Sequence, residues 1–317
     1  MHTPAWKKLL RALRNLALFV LALLAAGALY QGLAGLYDQF AYPPPGQMVD
    51  VNGTRLHLYC LGEGSPTVIL EAGLGDNVLG WELVHARLAE STRVCAYDRP
   101  GLGWSEGLDR VIPSEEVAQI LHTLLQEADI PGPYILVGHS MGGLHVRSFA
   151  RLYPAEVTGL VLVDSSHENQ LNAAHADETI EGILLPLKAC QALAPIGVIR
   201  LVRAIASQPE NTLFPPGQAR ARLALQNRSD LCRVVANEYR AVRTDTAQPA
   251  PPASLGDLPL VVITAGIGIQ DRWQSLQDEL AALSTNSTHI IAENSPHYIQ
   301  FYQPELVIDA VMGMLAP

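Results

Sequence analysis

The stretch Tyr134-Ile135-Leu136-Val137-Gly138-His139-Ser140-Met141-Gly142-Gly143-Leu144 decides how the rest of the chain is read. An apolar run suited to a buried parallel strand leads into Gly-x-Ser-x-Gly, and Leu144 to Leu152 continues at helical spacing up to Pro154. A serine between strand and helix sits on a sharp, strained turn, where a larger side chain at position 138 or 142 would collide with neighbouring backbone. The turn lifts the Ser140 hydroxyl clear of the sheet edge. It also aims the first amides of the helix, that of Met141 foremost, at the place where an attacked carbonyl builds up negative charge. Ordinary glycine-rich turns share the five-residue pattern; the strand before and the helix after favour a nucleophile elbow with Ser140 as the attacking residue.

The chain has 317 residues, 49% hydrophobic and only 16% charged, enough for one large α/β domain with an insertion or for two small ones. Such a composition supports a sizeable core and argues against disorder. A net charge of −10 and the lack of a basic stripe in the body argue against a nucleic-acid partner. No phosphate-binding loop, zinc-spaced Cys/His cluster or internal repeat is found, so no cofactor and no metal is expected.

Basic charge is concentrated at the start, where Lys7, Lys8, Arg11 and Arg14 precede the first acidic residue, Asp38. Leu16 to Tyr30 carries no polar side chain, and after Gln31 the run Gly32 to Tyr37 extends it to about 22 residues, enough to cross a hydrocarbon core. A segment with no polar face makes a poor core helix. Residues 1–40 are therefore expected to be an uncleaved membrane anchor. A signal peptide cleaved after Ala26-x-Ala28 is the alternative, disfavoured because the apolar stretch runs past that site. The positive-inside bias keeps the basic end in the cytoplasm and puts the body outside it. Ala41-Tyr42-Pro43-Pro44-Pro45-Gly46 then reads as a stiff spacer holding that body off the membrane.

Downstream, strands alternate with helices, the pattern of a parallel sheet with helical crossovers. Gln47–Val51 and Thr54–Leu61, joined at Asn52-Gly53, open as a hairpin. Further strands are expected at Thr67–Leu70, Arg93–Tyr97, Tyr134–Val137, Gly159–Val163, Leu260–Thr264 and His289–Ala292. Helices are expected at Trp81–Glu90 and Glu115–Ala128. Residues 165–258 lack a sheet pattern. They carry helical patterns at Leu184–Leu193, Val198–Ala206 and Ala219–Arg243, broken by Pro186, Pro195, Pro209 and Pro215-Pro216 and ending in a linker, Gln248–Ala253.

These residues resemble the α/β-hydrolase family. The likeness covers about residues 47–317 and rests on four features in order: the glycine loop Gly73-Leu74-Gly75, Tyr97-Asp98-Arg99-Pro100-Gly101-Leu102-Gly103-Trp104-Ser105, the elbow, and Ser295-Pro296-His297. It implies a mostly parallel eight-stranded sheet with helices on both faces. Residues 46–164 plus 259–317 would form the core and 165–258 a helical cap. The glycine loop would supply a second oxyanion-hole amide, that of Leu74; Ala72 stands where many members have histidine, which a backbone donor tolerates. The Asp98 turn is taken as structural, a tight loop braced by an Asp/Arg pair.

Ser140 needs an imidazole to take and return its proton, and His297 follows the last strand, as the serine, acid, histidine order of this fold requires. His57, His85, His122, His139 and His145 fall in strands, helices or the elbow, and His167 is a weaker rival. The acid follows either the sixth strand, giving Asp164, or the seventh, giving Asp271. Asp164 is the assignment taken, because it sits directly at a strand end; whichever loses would serve as a helix cap.

The resemblance implies a serine hydrolase of carboxylic esters or lactones acting on a small, largely apolar molecule through an acyl-enzyme, with Leu74 and Met141 as oxyanion donors. Aminopeptidase, carbon–carbon hydrolase, cofactor-free haloperoxidase or a non-catalytic binding protein are the alternatives. Epoxide hydrolysis is disfavoured, since families that perform it carry aspartate at the elbow. The family's strand order sets the second strand antiparallel to the fourth, so Cys60 would face Cys95, leaving Cys190 and Cys232 to bridge cap helices. Four buried thiols are the alternative.

Overall fold

The computed structural model describes residues 4–171, 176–206, 212–246, 254–268 and 270–315. Eight strands form one sheet: β1 (Gln47–Val51), β2 (Thr54–Leu61), β3 (Thr67–Glu71), β4 (Val94–Tyr97), β5 (Tyr134–His139), β6 (Val157–Val163), β7 (Leu260–Ala265) and β8 (Ser287–Ala292). Their order is β1-β2-β4-β3-β5-β6-β7-β8. Only the β1–β2 and β2–β4 pairs are antiparallel, so β2 alone runs against the rest. The expected alternation and fold class are present, and the elbow strand β5 lies inside the sheet between β3 and β6.

Side chains of β5 alternate between two cores, as strand geometry dictates. Tyr134 and Leu136 pack beneath α3 (Ser114–Glu127) and α4 (Gly142–Leu152), with Leu121, Leu124 and Phe149. Ile135 and Val137 pack on the other side with Trp81, Val84 and Leu88 near α2 (Glu82–Leu88), and with Val307 and Val311 of α11 (Pro304–Leu315). Each such apolar side chain buried contributes about 1.5–3 kcal/mol. The result is a sheet covered on both faces, which presents the C-terminal ends of its parallel strands as one edge. α9 (Asp271–Ala281) and the single turn α10 (Ile299–Tyr302) flank that edge near the end of the chain.

Among the described residues, four α-helices occupy the stretch between β6 and β7: α5 (Ala176–Leu193), α6 (Val198–Ile205), α7 (Pro216–Gln226) and α8 (Leu231–Thr246). Two expectations fail here. Pro186 lies inside α5 instead of breaking it. The pattern at Ala219–Arg243 divides at Asn227–Asp230, where the Asn227 main chain closes α7 with bonds to Leu223 and Ala224. Pro209 and the linker Gln248–Ala253 lie outside the described residues.

At the N-terminus, α1 (Ala5–Ala41) has 37 residues, about 55 Å at the helical rise, and is long and apolar enough to cross a membrane. Gln31 is its one buried residue. The segment after it does not hold the body away. Trp104 Nε1 donates to the Tyr42 carbonyl at 2.9 Å, His57 bonds the Pro45 carbonyl, and Gln31 donates to the Asn227 carbonyl at 2.8 Å. The spacer is short, and polar contacts on both sides of it seat the body directly on the end of α1.

Both disulfides are formed. Cys60 and Cys95 stand directly opposite in the β2–β4 register, and Cys190 of α5 joins Cys232 of α8.

Candidate active site

Ser140 has φ +51, a left-handed conformation that costs a non-glycine residue about 1–3 kcal/mol. Three backbone bonds hold it there. Its amide donates to Val163 at 3.0 Å, and its carbonyl accepts from Gly143 at 3.0 Å and from Ser166 at 2.8 Å. The flanking glycines are sterically required. A Cβ on Gly138 would lie 2.6 Å from Val146 Cγ2, and one on Gly142 would lie 2.6 Å from the Glu71 carbonyl oxygen.

The hydroxyl so raised lies 3.0 Å from His297 Nε2, and His297 Nδ1 lies 2.5 Å from Asp164 Oδ2. With Nδ1–H donating to the carboxylate, Nε2 is left to accept the serine proton. Asp164 directly follows β6, also with positive φ (+41), and its other oxygen accepts from Trp273 Nε1 at 2.8 Å and the Ala265 amide at 3.1 Å. Burial pushes this carboxyl up, but the bonds from His297, Trp273 and Ala265 outweigh it and hold it below the usual carboxylate range. Asp271 is the exposed first residue of α9, away from this chain of bonds, where an acid favours the helix N-terminus without capping it. His167 is buried 3.4 Å from Glu279, also outside the constellation.

Leu74 and Met141 both line the cavity in front of Ser140, and neither backbone amide has an acceptor among the described residues. The loop bearing Leu74 is held rigidly. Arg99 donates to the carbonyls of Ala72 at 2.6 Å and Gly73 at 2.7 Å, and Glu238 of α8 accepts from the Gly75 amide at 2.7 Å. Arg99 also pairs with Glu71 at 2.6 Å and with Glu238 at 2.7 Å. The Asp/Arg brace expected at the Asp98 turn is therefore not made. Asp98 instead accepts from His57 at 2.7 Å and from the amides of Val78 and Trp104, because consecutive side chains at a strand end point to opposite sides.

Sequence reasoning missed Arg99 and Glu238 as supports of the loop, Trp273 as a partner of the acid, and His139. The last is fully buried and its Nε2 lies 3.0 Å from the main-chain carbonyl of His297. Position inside the elbow motif was a signal for His139; nothing local marks Trp273 or Glu238.

The cavity holds about 430 Å³. Its floor is Ser140 and His297, and its wall includes Leu171, Ile180, Ile183 and Val242 of α8. Polar side chains share the lining: Asp76, His139, Ser166, Gln170, Tyr239, Trp273 and Tyr298, besides the serine and the imidazole. No group of three or more His, Cys, Asp or Glu side chains is arranged to hold a metal among the described residues.

The sheet order, the elbow and this constellation define an α/β hydrolase. The family model for the alpha/beta hydrolase family matches residues 68–310, and the chain belongs to that family. An uncharacterized protein of Schizosaccharomyces pombe is 26% identical over 291 residues, covering 81% of this chain and 53% of its own length, so the chain spans about half of that relative. Among solved structures, the epoxide hydrolase CorEH superimposes with a TM-score of 0.67 at 22% identity, covering 86% of this chain and 98% of the other. A thermophilic esterase from Thermogutta terrifontis gives 0.62 at 20% identity, covering 84% and 96%. At those identities both share the fold.

Proposed function

We propose that the protein hydrolyses a carboxylic ester or lactone bond of a small, largely apolar molecule through an acyl-enzyme. The single observation that carries this is the unbroken chain from Ser140 Oγ through His297 to Asp164, at 3.0 and 2.5 Å, on the floor of the cavity. Ser140 attacks the carbonyl while His297 Nε2 takes its proton. Asp164 holds the imidazole in the required tautomer and stabilises the imidazolium that forms. The oxyanion is bound by the unengaged amides of Leu74 and Met141. His297 then protonates the leaving oxygen, and the same base activates the water that releases the acid. Leu171, Ile180, Ile183 and Val242 suit an apolar acyl or alcohol part. Residues 46–164 with 259–317 act as the catalytic core and 165–258 as its cap. Epoxide hydrolases such as CorEH are among the structural neighbours, but a serine at the elbow leads to an acyl-enzyme from an ester, not to the ester intermediate that an aspartate nucleophile forms with an epoxide. In the same proposal α1 anchors the chain with its basic end in the cytoplasm and the hydrolase body outside.

Labelling with a fluorophosphonate followed by a panel of esters of increasing chain length tests the reading. Labelling at Ser140 and turnover that rises with apolar chain length are expected; an unlabelled Ser140 would overturn the covalent mechanism.

A further inference from the structure

The helix α6 is built inside out. Its spacing puts Leu201, Val202 and Ile205 on one face and Arg200 and Arg203 on the other. On an ordinary surface helix the arginines would meet water. Here Ile205 is 86% exposed, Val202 55% and Leu201 51%, whereas the arginines turn inward. Arg200 donates to Gln31 at 3.0 Å and pairs with Asp38 at 2.7 Å, and Arg203 donates to the Gln226 carbonyl.

The neighbouring helix indicates what covers the apolar face. The turn leading into α6 lies against α1: a Cβ on Gly27 would strike the main chain of Ile196, and one on Gly197 would come within 3.0 Å of Tyr30. These contacts fall within the apolar run of α1, whose Leu29, Leu33 and Leu36 are themselves exposed. Gln31 interrupts that run, and it is the residue that α6 and Asn227 enclose by bonding both ends of its amide. Inside a bilayer a polar side chain must be satisfied by protein. Asn227 and α6 thus shield the polar break in α1 while the flanking leucines stay exposed.

We propose that α6 lies in the outer part of the bilayer that α1 crosses, and that lipid covers Leu201, Val202 and Ile205. This rests on α1 being a membrane span. α5, in its described part, meets α6 at a bend of 109° and carries Ile180 and Ile183 in the cavity wall, so the catalytic cavity lies roughly 15 Å along α5 from the lipid face.

The test uses the full chain in phosphatidylcholine/phosphatidylglycerol vesicles. The four native cysteines are all in disulfides, so one introduced cysteine takes an environment-sensitive fluorophore. Ile205→Cys and Leu201→Cys probe α6, Val20→Cys the middle of α1, and Glu63→Cys an exposed loop of the body; Ser140 reactivity in each variant confirms its fold. Quenching by doxyl-labelled lipid at positions 20, 201 and 205, at least about twofold above position 63, is the expected result. Quenching at 20 but not at 201 and 205 overturns the docking of α6 and leaves the span standing. No quenching at any of the three overturns both, and quenching at 201 and 205 alone overturns the span and with it the placement of α6 beside a crossing α1. A label at 205 that is shielded from aqueous iodide yet untouched by doxyl lipid overturns the lipid assignment in favour of a second copy or another protein.

Discussion

His139 Nε2 lies 3.0 Å from the carbonyl of His297, so the residue before the elbow serine ties down the loop that carries the imidazole facing that serine. The ring is buried. Burial, reinforced by the charge His297 gains on protonation, pushes its pKa down to about 3, so it stays neutral through the physiological range and donates steadily to that carbonyl.

Acid stability should register this ring. Unfolded, it titrates near 6.5; folded, at about 3. Between those values the unfolded chain binds more protons, so this contribution is complete above 6.5 and is lost as pH falls towards 3. His139→Gln keeps a donor for the His297 carbonyl and removes the titration. Urea unfolding of the detergent-solubilised chain at pH 7 and pH 5 is expected to show the native protein losing about 2 kcal/mol more than the variant. Equal losses would refute it.

Ser140→Ala and His297→Ala should each reduce ester turnover by about 10⁴-fold or more while leaving the unfolding midpoint near that of the native chain, because members of such a unit fail together. Steady-state kinetics on an ester that labels the enzyme would decide this, and substantial residual turnover in Ser140→Ala would dismiss the covalent route.

Between the two aspartates the expected ranking is steep. Asp164→Asn lowers kcat by about 10⁴ through a misoriented imidazole. Asp271→Asn, on the exposed end of α9, leaves kcat within about twofold. The reverse order would transfer the acid's role to Asp271.

Arg99 is enclosed between Glu71 and Glu238. Arg99→Ala removes the guanidinium that both buried carboxylates share and should cost about 3–5 kcal/mol of stability, measured by denaturant unfolding. A loss below 1 kcal/mol would mean that Glu71 and Glu238 simply take up protons.

Peptide mapping without reductant should recover Cys60–Cys95 and Cys190–Cys232 as linked pairs. Replacing either pair by serine should cost about 2–4 kcal/mol, since each bond closes a long loop of the unfolded chain. Free thiols at all four positions in protein from its own compartment would contradict both.

What could be read in the sequence follows the range of the forces involved. Elbow, strand alternation and the long apolar N-terminal helix are local patterns, set by periodicity and by glycine at two crowded positions. Ser140, Asp164 and His297 were legible because the fold fixes which strand ends precede them. Trp273, Glu238 and the seating of Gln31 depend on helices that approach from distant parts of the chain, and no spacing announces such contacts. Arg99 was misassigned for a related reason: adjacency in sequence suggested a pair with Asp98, whereas the strand end sends the two side chains apart. Pro186 does not break its helix, because burial of Ile180 and Leu184 and the bridge at Cys190 favour a continued helix.

The link between Tyr42 and Trp104, with those of Gln31 to Asn227 and Asp38 to Arg200, leaves the hydrolase body little freedom to swivel on its stalk. A loosely tethered enzyme samples a hemisphere of solution and meets reactants per unit volume. If α1 is the anchor proposed above, a body fixed to it at three heights keeps one bearing, drifts only as the anchor drifts, and meets whatever shares its surface per unit area.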